Sequence, residues 1–373
     1  MAVFSIADMG ASLPTVYRKK LTLAQRKTPT LRLFSQLGLL NQSQTGQAMT
    51  WQVKTSGQVA GNPSLDGGAF LTAASDAPQN VSVAFGSYEA PCKVTDDLLW
   101  KAQPAAGIPA DYSTMANVLA EARVDAVSAA LKLIEQHLYI GSGSSEQMTG
   151  LSTAVAASGA YGGLTNSEWV SRVTLNSSVL RNLTLALLKT ELRNISILFN
   201  GGRPNLGLCA PHIMDALEAL FDPYLQMPSA PSATAPVAKG GDRAVMNPGT
   251  IRTIGGDINM DGFRHLYWAT GGVHFIEAPD CVNSAVTNTT AGIFFLNSDA
   301  IGVDYLPPPG PRQGAADAEA VAAMESAMGG IADIPFESIS RGRIDHSMQW
   351  DMTAKLGLKL LDRRSAAWLG DLQ

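Results

Sequence analysis

Arg343-Ile-Asp-His-Ser-Met-Gln-Trp-Asp-Met-Thr-Ala-Lys-Leu-Gly-Leu-Lys-Leu360 alternates along its length. Ile344, His346, Met348, Trp350, Met352, Ala354, Leu356, Leu358 and Leu360 stand at even positions, with polar residues or glycine at almost all odd ones. Period-two alternation sends successive side chains to opposite faces of a sheet, so the stretch reads as one β-strand with a single apolar face, roughly 55 Å long at ~3.3 Å per residue. A second long element runs from about Thr114 to Ile140. There Met115, Val118, Leu119, Ala122, Val127, Ala130, Leu131, Ile134 and Leu138 fall on one helical stripe, and a helix of that length spans about 40 Å. Two elongated amphipathic elements of similar length suggest a flat slab with the helix laid along the strand. Such a shape suits a tile better than a reaction vessel.

The chain has 373 residues, 46% hydrophobic and 16% charged. That is enough apolar material for one or two cores and too little charge to coat an ordinary soluble monomer, so much of the surface is expected to meet other protein. No apolar run approaches the ~18 residues that a membrane span requires. The opening Met-Ala-Val-Phe-Ser lacks a basic region followed by an apolar stretch, which predicts a chain made and kept in the cytosol. Cys92, Cys209 and Cys281 are odd in number and widely spaced, and they read as buried thiols rather than a disulfide framework or zinc site. Residues 1–40 hold Arg18, Lys19, Lys20, Arg26, Lys27 and Arg32 against Asp8 alone, a local +5 that leaves −10 for the rest of a chain of net charge −5. A basic arm on an acidic body can dock on a neighbouring copy or touch nucleic acid. Without interleaved aromatics, the neighbour is the better reading.

Residues 1–45 read as that arm, with one short helix around Leu31–Leu40. Met49, Trp51 and Val53 predict a strand, and Val81, Val83 and Phe85 a second. The intervening stretch contains Gly57, Gly61, Asn62-Pro63 and Asp66-Gly67-Gly68 and has no core of its own. A long two-stranded excursion of this kind is marginal in water and calls for support by a partner. Asp111 or Ser113 is expected to cap the long helix, and Gly141-Ser142-Gly143 to end it. Downstream, a helix over Leu183–Phe199, a short buried strand Leu206–Cys209 and a helix opening at Pro211 make a mixed α/β unit. Residues 226–250 form a loop, and hairpins are expected at 251–277 and 291–306. A Pro-rich loop from Pro307 and a short helix over Ala316–Met328 precede the final strand and Trp368-Leu369.

Reactive constellations are incomplete. Asp257, Asn259, Asp261 and Gly262 match the first half of a calcium loop, but Trp268 stands where a bidentate Glu is required. Asp261-Gly262 reads better as a hairpin turn leading into Phe263–Trp268. Gly141-Ser142-Gly143-Ser144-Ser145 lacks the Lys of a phosphate cradle and follows a helix, where a nucleophile elbow would follow a strand. The histidines at 137, 212, 265, 274 and 346 are scattered. His346 is expected on the apolar face of the last strand, and His265 and His274 could face each other across a hairpin, a pair without a third ligand. No nucleophile, base and orienter stand together. Neither a catalytic residue nor a metal or cofactor is assigned.

The order of parts is a basic arm, an unsupported hairpin, a long helix ending in His137-Leu-Tyr-Ile-Gly-Ser-Gly, then Gly150-Leu151-Ser152, a compact α/β unit and a long terminal strand. It resembles the major capsid protein of tailed double-stranded DNA bacteriophages, over nearly the whole chain. The most specific stretch is Glu135–Leu151, which looks like the end of that family's spine helix. The resemblance implies an α+β, HK97-like capsid fold with residues 1–45 as N-arm and 46–92 as extended E-loop. It further implies a peripheral domain of 93–151 and 331–373, with the spine helix on a long-stranded antiparallel sheet, and an α/β axial domain of 152–330. Assembly into hexamers and pentamers of an icosahedral head is then expected, formed in the host cytoplasm and enclosing DNA without sequence readout. Arg18, Lys19, Lys20, Trp51, Val53, Phe70 and Phe85 are the suspected subunit-interface residues, the apolar ones covered by adjacent copies.

Implied partners are a scaffolding protein, a portal and a cement or decoration protein. No charged helical scaffold region is fused at the start, which implies a separate scaffold or a processed chain. Lys54 is the one lysine of the suspected E-loop and sits at its base, so covalent crosslinking is not expected. Two other readings stay open: an encapsulin-type shell around cargo enzymes, which resembles the same architecture, and a cytosolic hydrolase using one of the Ser or His residues above.

Overall fold

The structure, a computed structural model, describes residues 28–43, 46, 48–54, 78–96, 115–144, 146–165, 168–198, 202–221, 244–245, 250–253, 256–259, 264–268, 271–281, 292–306, 334, 336–344 and 346–372. In chain order the elements begin with α1 (Pro29–Gln36), β1 (Leu40–Gln42), β2 (Ala48–Val53), β3 (Gln79–Ala84) and β4 (Gly86–Thr95). Next come α2 (Met115–Ile140), α3 (Leu151–Ala154), β5 (Arg172–Thr174), α4 (Leu185–Leu198), β6 (Leu206–Cys209) and α5 (Pro211–Phe221). Then follow β7 (Ala244–Val245), β8 (Thr250–Thr253), β9 (Gly256–Asn259), β10 (His265–Trp268), β11 (Val273–Glu277), β12 (Ile293–Leu296) and β13 (Ile301–Tyr305). The chain closes with β14 (Glu337–Ile344), β15 (Ser347–Leu360) and β16 (Ala367–Leu369). Two compact units divide the chain: one of 1–28, 87–134 and 307–355, the other of 29–86, 135–306 and 356–373.

The terminal alternation, of which the first unit holds the part up to residue 355, is folded differently from its sequence reading. The stretch 343–360 is not one strand. β14 and β15 pair antiparallel from Glu337↔Thr353 to Ile344↔Ser347, with a bulge between Ser340 and Gly342. His346 lies in the turn at φ 54 with its side chain 97% exposed, so it is not on an apolar face. Period-two alternation carries no mark of a reversal, and the left-handed region is one that histidine tolerates better than most side chains. β15 alone still runs 14 residues, roughly 45 Å at ~3.3 Å each. Within this unit Cys92 and Val94 of β4 join Trp350 of β15 in a small core, against which Ala122 and Ala126 of α2 pack. The Asp96 amide donates to the His346 carbonyl at 2.8 Å and ties the end of β4 to the turn.

The second unit is built on a seven-stranded mixed sheet of order β5-β16-β12-β6-β11-β10-β7. β6 is buried along its whole length, as the continuous apolar run of a central strand requires. Gly207 within it passes under Phe275, where a Cβ would approach the ring to 2.5 Å. One face of the sheet, with Leu266, Trp268, Phe275, Ile293 and Phe295, shares a core with Leu188, Leu192 and Ile195 of α4 and Ile213, Leu217 and Phe221 of α5. Phe294 takes Trp368 at 4.2 Å and Tyr139, at the end of α2, at 6.1 Å.

Three hairpin expectations change here. The span 291–306 is not a hairpin: β12 joins the seven-stranded sheet, while β13 pairs parallel with β1 and antiparallel with β15. A short 3₁₀ turn, Ser298–Ala300, capped by Asn297 through the Asp299 amide at 3.0 Å, carries the chain from one sheet to the other. Both strands are largely buried, so each needs its own covering layers. Second, β8 pairs with β9 from Thr250↔Asn259 to Thr253↔Gly256, which puts Asp257 and Asn259 within a strand. Among the described residues β10 pairs instead with β11 and β7 and not with β9, and Asp261-Gly262 lies outside them. Third, the β10–β11 register sets Tyr267 opposite His274 and His265 opposite Ile276. The two histidines therefore do not face each other, and His274 stacks on Tyr267 at 4.2 Å. The expected helix at 316–328, the caps Asp111 and Ser113 and the tip of the predicted excursion also lie outside the described residues.

Candidate assembly interface

For a chain read as a tile, the informative sites are the roots of the segments it would lend to neighbours. The first is the β2–β3 hairpin, paired from Ala48↔Ala84 to Val53↔Gln79. Alternation fixes its faces: Met49, Val53, Val81 and Val83 are buried, while Thr50, Gln52, Asn80 and Ser82 are not. The hairpin is seated on two glycines. A Cβ at Gly162 (φ 57) would fall 2.2 Å from Val81 Cγ1, and one at Gly357 would fall 2.4 Å from Met49 Cε. The Ser82 amide donates to the Gly162 carbonyl at 3.0 Å.

Trp51, half-buried, lies 6.1 Å from the Tyr161 ring, and Tyr161 lies 5.8 Å from Trp169. Lys359 Nζ stands 5.8 Å from the centre of the Trp51 ring, within cation–π range. Below this row Arg363 is fully buried. Its Nε donates to the Ala154 carbonyl at 2.9 Å, Nη1 to Gly159 at 3.1 Å and Nη2 to Ala156 at 3.2 Å. Its guanidinium also lies 5.6 Å from Tyr161 and 5.8 Å from Trp169. Burial lowers the Arg363 pKa from its ordinary value, and the carbonyls take up the hydrogen bonds that water would otherwise make. Tyr161 in turn accepts from the Leu360 amide at 3.0 Å. Arg363 thus fastens the 154–161 segment to the end of β15 and supports the hairpin root from beneath.

The second root is α1, the element that follows the basic arm. Its first two amides, Thr30 and Leu31, donate to the two carboxylate oxygens of Glu135 on α2 at 2.9 and 3.0 Å, and Thr30 Oγ1 is 2.5 Å from the Tyr139 hydroxyl. A carboxylate at a helix N-terminus satisfies orphan donors and meets the positive end of the dipole. Glu135 is fully buried, and desolvation pushes its pKa up to about 7, against the hydrogen bonds from Thr30 and Leu31 that lower it; the Asp280 charge adds to the rise. Burial likewise raises Tyr139 and Cys281 well above their ordinary values.

Of the suspected interface residues, Val53 is 7% exposed and so is covered within its own chain, without a neighbour. Trp51 is half-buried on Tyr161, and Phe85 is half-buried at the break between β3 and β4. Arg18, Lys19, Lys20 and Phe70 lie outside the described residues. Sequence reasoning missed Arg363 and the role of Glu135. A glutamate within the apolar stripe, between Ile134 and Leu138, was the available signal for the second; nothing local marks Arg363.

Neither a family model nor a curated protein matches the sequence. Solved structures do. The capsid asymmetric unit of cyanophage A-1(L) superposes with a TM-score of 0.63 at 16% identity, covering 95% of each chain. The capsid of the native GTA particle gives 0.53 at 10% identity, covering 99% of each. The holo-SrpI encapsulin complex from Synechococcus elongatus PCC 7942 gives 0.52 at 14% identity, covering 100% of this chain and 97% of that one. End-to-end coverage at such low identity is a likeness of architecture, and it establishes that this chain has the HK97-like fold of phage capsid proteins.

Proposed function

We propose that the protein is the major capsid protein of a tailed double-stranded DNA phage, assembling as hexamers and pentamers into an icosahedral head. The observation that carries this reading is the likeness to the cyanophage A-1(L) capsid subunit over 95% of both chains. On this reading residues 1–45 are an arm, 46–92 an E-loop, 93–151 with 331–373 a peripheral domain and 152–330 an axial domain. The arm and E-loop reach adjacent copies, and the two rigid roots set the angle at which they leave. A scaffolding protein, a portal and a cement protein are the partners such a head uses. Packaged DNA meets the inner face through non-specific phosphate contacts, which a chain of net charge −5 keeps weak.

The encapsulin likeness favours a second reading with the same geometry, a shell around protein cargo. Expression of the full chain, with size-exclusion chromatography and electron microscopy, tests both. Capsomers or closed shells are expected, and a monodisperse 39.3 kDa monomer at all concentrations would refute both. Shells isolated from native source that hold protein cargo and no DNA would select the second.

A further inference from the structure

The loop after β5 combines costly backbone geometry with apolar exposure. β5 ends the seven-stranded sheet, and the next residues carry two consecutive left-handed non-glycines, Ser177 (φ 55) and Ser178 (φ 64). Each such residue costs on the order of 1 kcal/mol and persists only where its surroundings enforce it. Here Asp371, itself at φ 58, accepts from the Asn176 amide at 2.6 Å and the Ser178 amide at 3.1 Å through one carboxylate oxygen. Asn176 Nδ2 donates to the Val179 carbonyl at 2.8 Å, and Arg181 Nη2 donates to the carbonyls of Thr174 and Gly370 at 3.1 and 3.2 Å. The loop so ordered leaves Leu175 54%, Val179 62% and Leu180 47% exposed. A plain connection between β5 and α4 needs neither the strain nor the apolar side chains. Prior ordering does lower the entropy lost on association.

We infer that residues 175–180 form a contact surface for a second copy of this chain, an inference that rests on the shell reading above. Area selects that occupant. Three partly exposed side chains offer a few hundred Å² at most, far below the ~1,600 Å² of a self-sufficient interface. A contact this small is useful as one of several made at once, which repeated copies in a shell supply and a single binary partner does not. The loop also follows β5, the strand that ends the seven-stranded sheet among the described residues.

The test is thiol labelling of Val179→Cys, because Cys92, Cys209 and Cys281 are all buried. With a maleimide probe, the substituted thiol is expected to react at least tenfold faster in dissociated subunits than in assembled shells, with wild type as background. Equal rates in both states would overturn the contact while leaving the shell reading intact. Failure of the wild-type chain to assemble under any condition would remove that reading and the contact together. In parallel, the double variant Val179→Asp, Leu180→Asp is expected to keep the wild-type melting temperature and lose shell formation. Shells at wild-type yield would overturn the inference.

Discussion

Arg363 shows how a buried charge can organise a segment. Three donors of one guanidinium meet three carbonyls in six residues, at Ala154, Ala156 and Gly159, and its faces meet Tyr161 and Trp169. Removing it leaves buried acceptors unpaired, each costing about 1–3 kcal/mol. Arg363→Met is therefore expected to lower the unfolding free energy by about 3 kcal/mol or more in denaturant titration. A change under ~0.5 kcal/mol, the ordinary range of surface substitutions, would contradict the clamp. Arg363→Lys, a point charge without the fork, is expected to recover only part of the loss. The glycines at the end of α2 set a stricter constraint. A Cβ at Gly150 would stand 2.5 Å from the Gly141 nitrogen and 2.6 Å from the His137 carbonyl oxygen, both backbone atoms that cannot swing away. Gly150→Ala is expected to abolish soluble expression, whereas Ser142→Ala, at an exposed neighbour, is expected to be silent; a well-folded Gly150→Ala chain would show the close approach to be wrong.

At the scale of elements, the seating of α1 is coupled to a proton. The Glu135 pKa is raised from 4.5 to about 7 in the folded chain. The folded state therefore holds a proton that the unfolded state releases above about 4.5. The stability from this group is complete below that value, falls as pH rises to about 7 and is flat beyond. Among the described residues, the groups acting on the carboxyl or its neighbours include Thr30 and Leu31 of α1, Tyr139 on its own helix, and Asp280 and Cys281. Glu135→Gln keeps an acceptor for one amide and cannot ionise. Melting temperatures of wild type and variant from pH 4.5 to 8 are expected to diverge across that window, with wild type losing ground by a few kcal/mol at most. Parallel curves would contradict the coupling. The hairpin root is tested by Trp51→Ala, which removes the contact with Tyr161. Faster amide exchange is expected in 48–53 and 79–84 with α4 and α5 unchanged, and uniform exchange rates would deny that the contact seats the hairpin.

Legibility followed the same scale. Elements whose apolar period has clear ends were readable: α2, β2 and β6 lie within one residue of their expected bounds or match them, and α5 opens at the expected Pro211. The turn at His346 was not, because alternation continues through it and neither Gly nor Pro marks the reversal. β4 was overlooked although Tyr88, Ala90, Cys92 and Val94 alternate buried with exposed neighbours; small side chains and Pro91 weakened a pattern that was present. The fates of β12 and β13 depend on which sheet each one joins, a long-range choice with no local mark. Of the suspected interface, alternation placed Met49, Trp51 and Val53 on a strand. It could not tell that Val53 is covered by its own chain, since both outcomes bury the same face.

For the whole molecule, the proposed shell role implies a chain whose stability is complete only among its copies. On that proposal the roots of the β2–β3 hairpin and of α1 support two contacts with neighbours, and the loop at 175–180 offers a third. Small contacts of this kind act through their number: each adds little, and a subunit meeting several neighbours sums them. Assembly is accordingly expected to be steeply concentration-dependent. Electron microscopy of the purified chain across a concentration series is the most direct test of assembly. Closed shells or hexameric and pentameric capsomers are expected above a threshold concentration, and a chain that stays a folded, stable 39.3 kDa monomer throughout would contradict the shell reading.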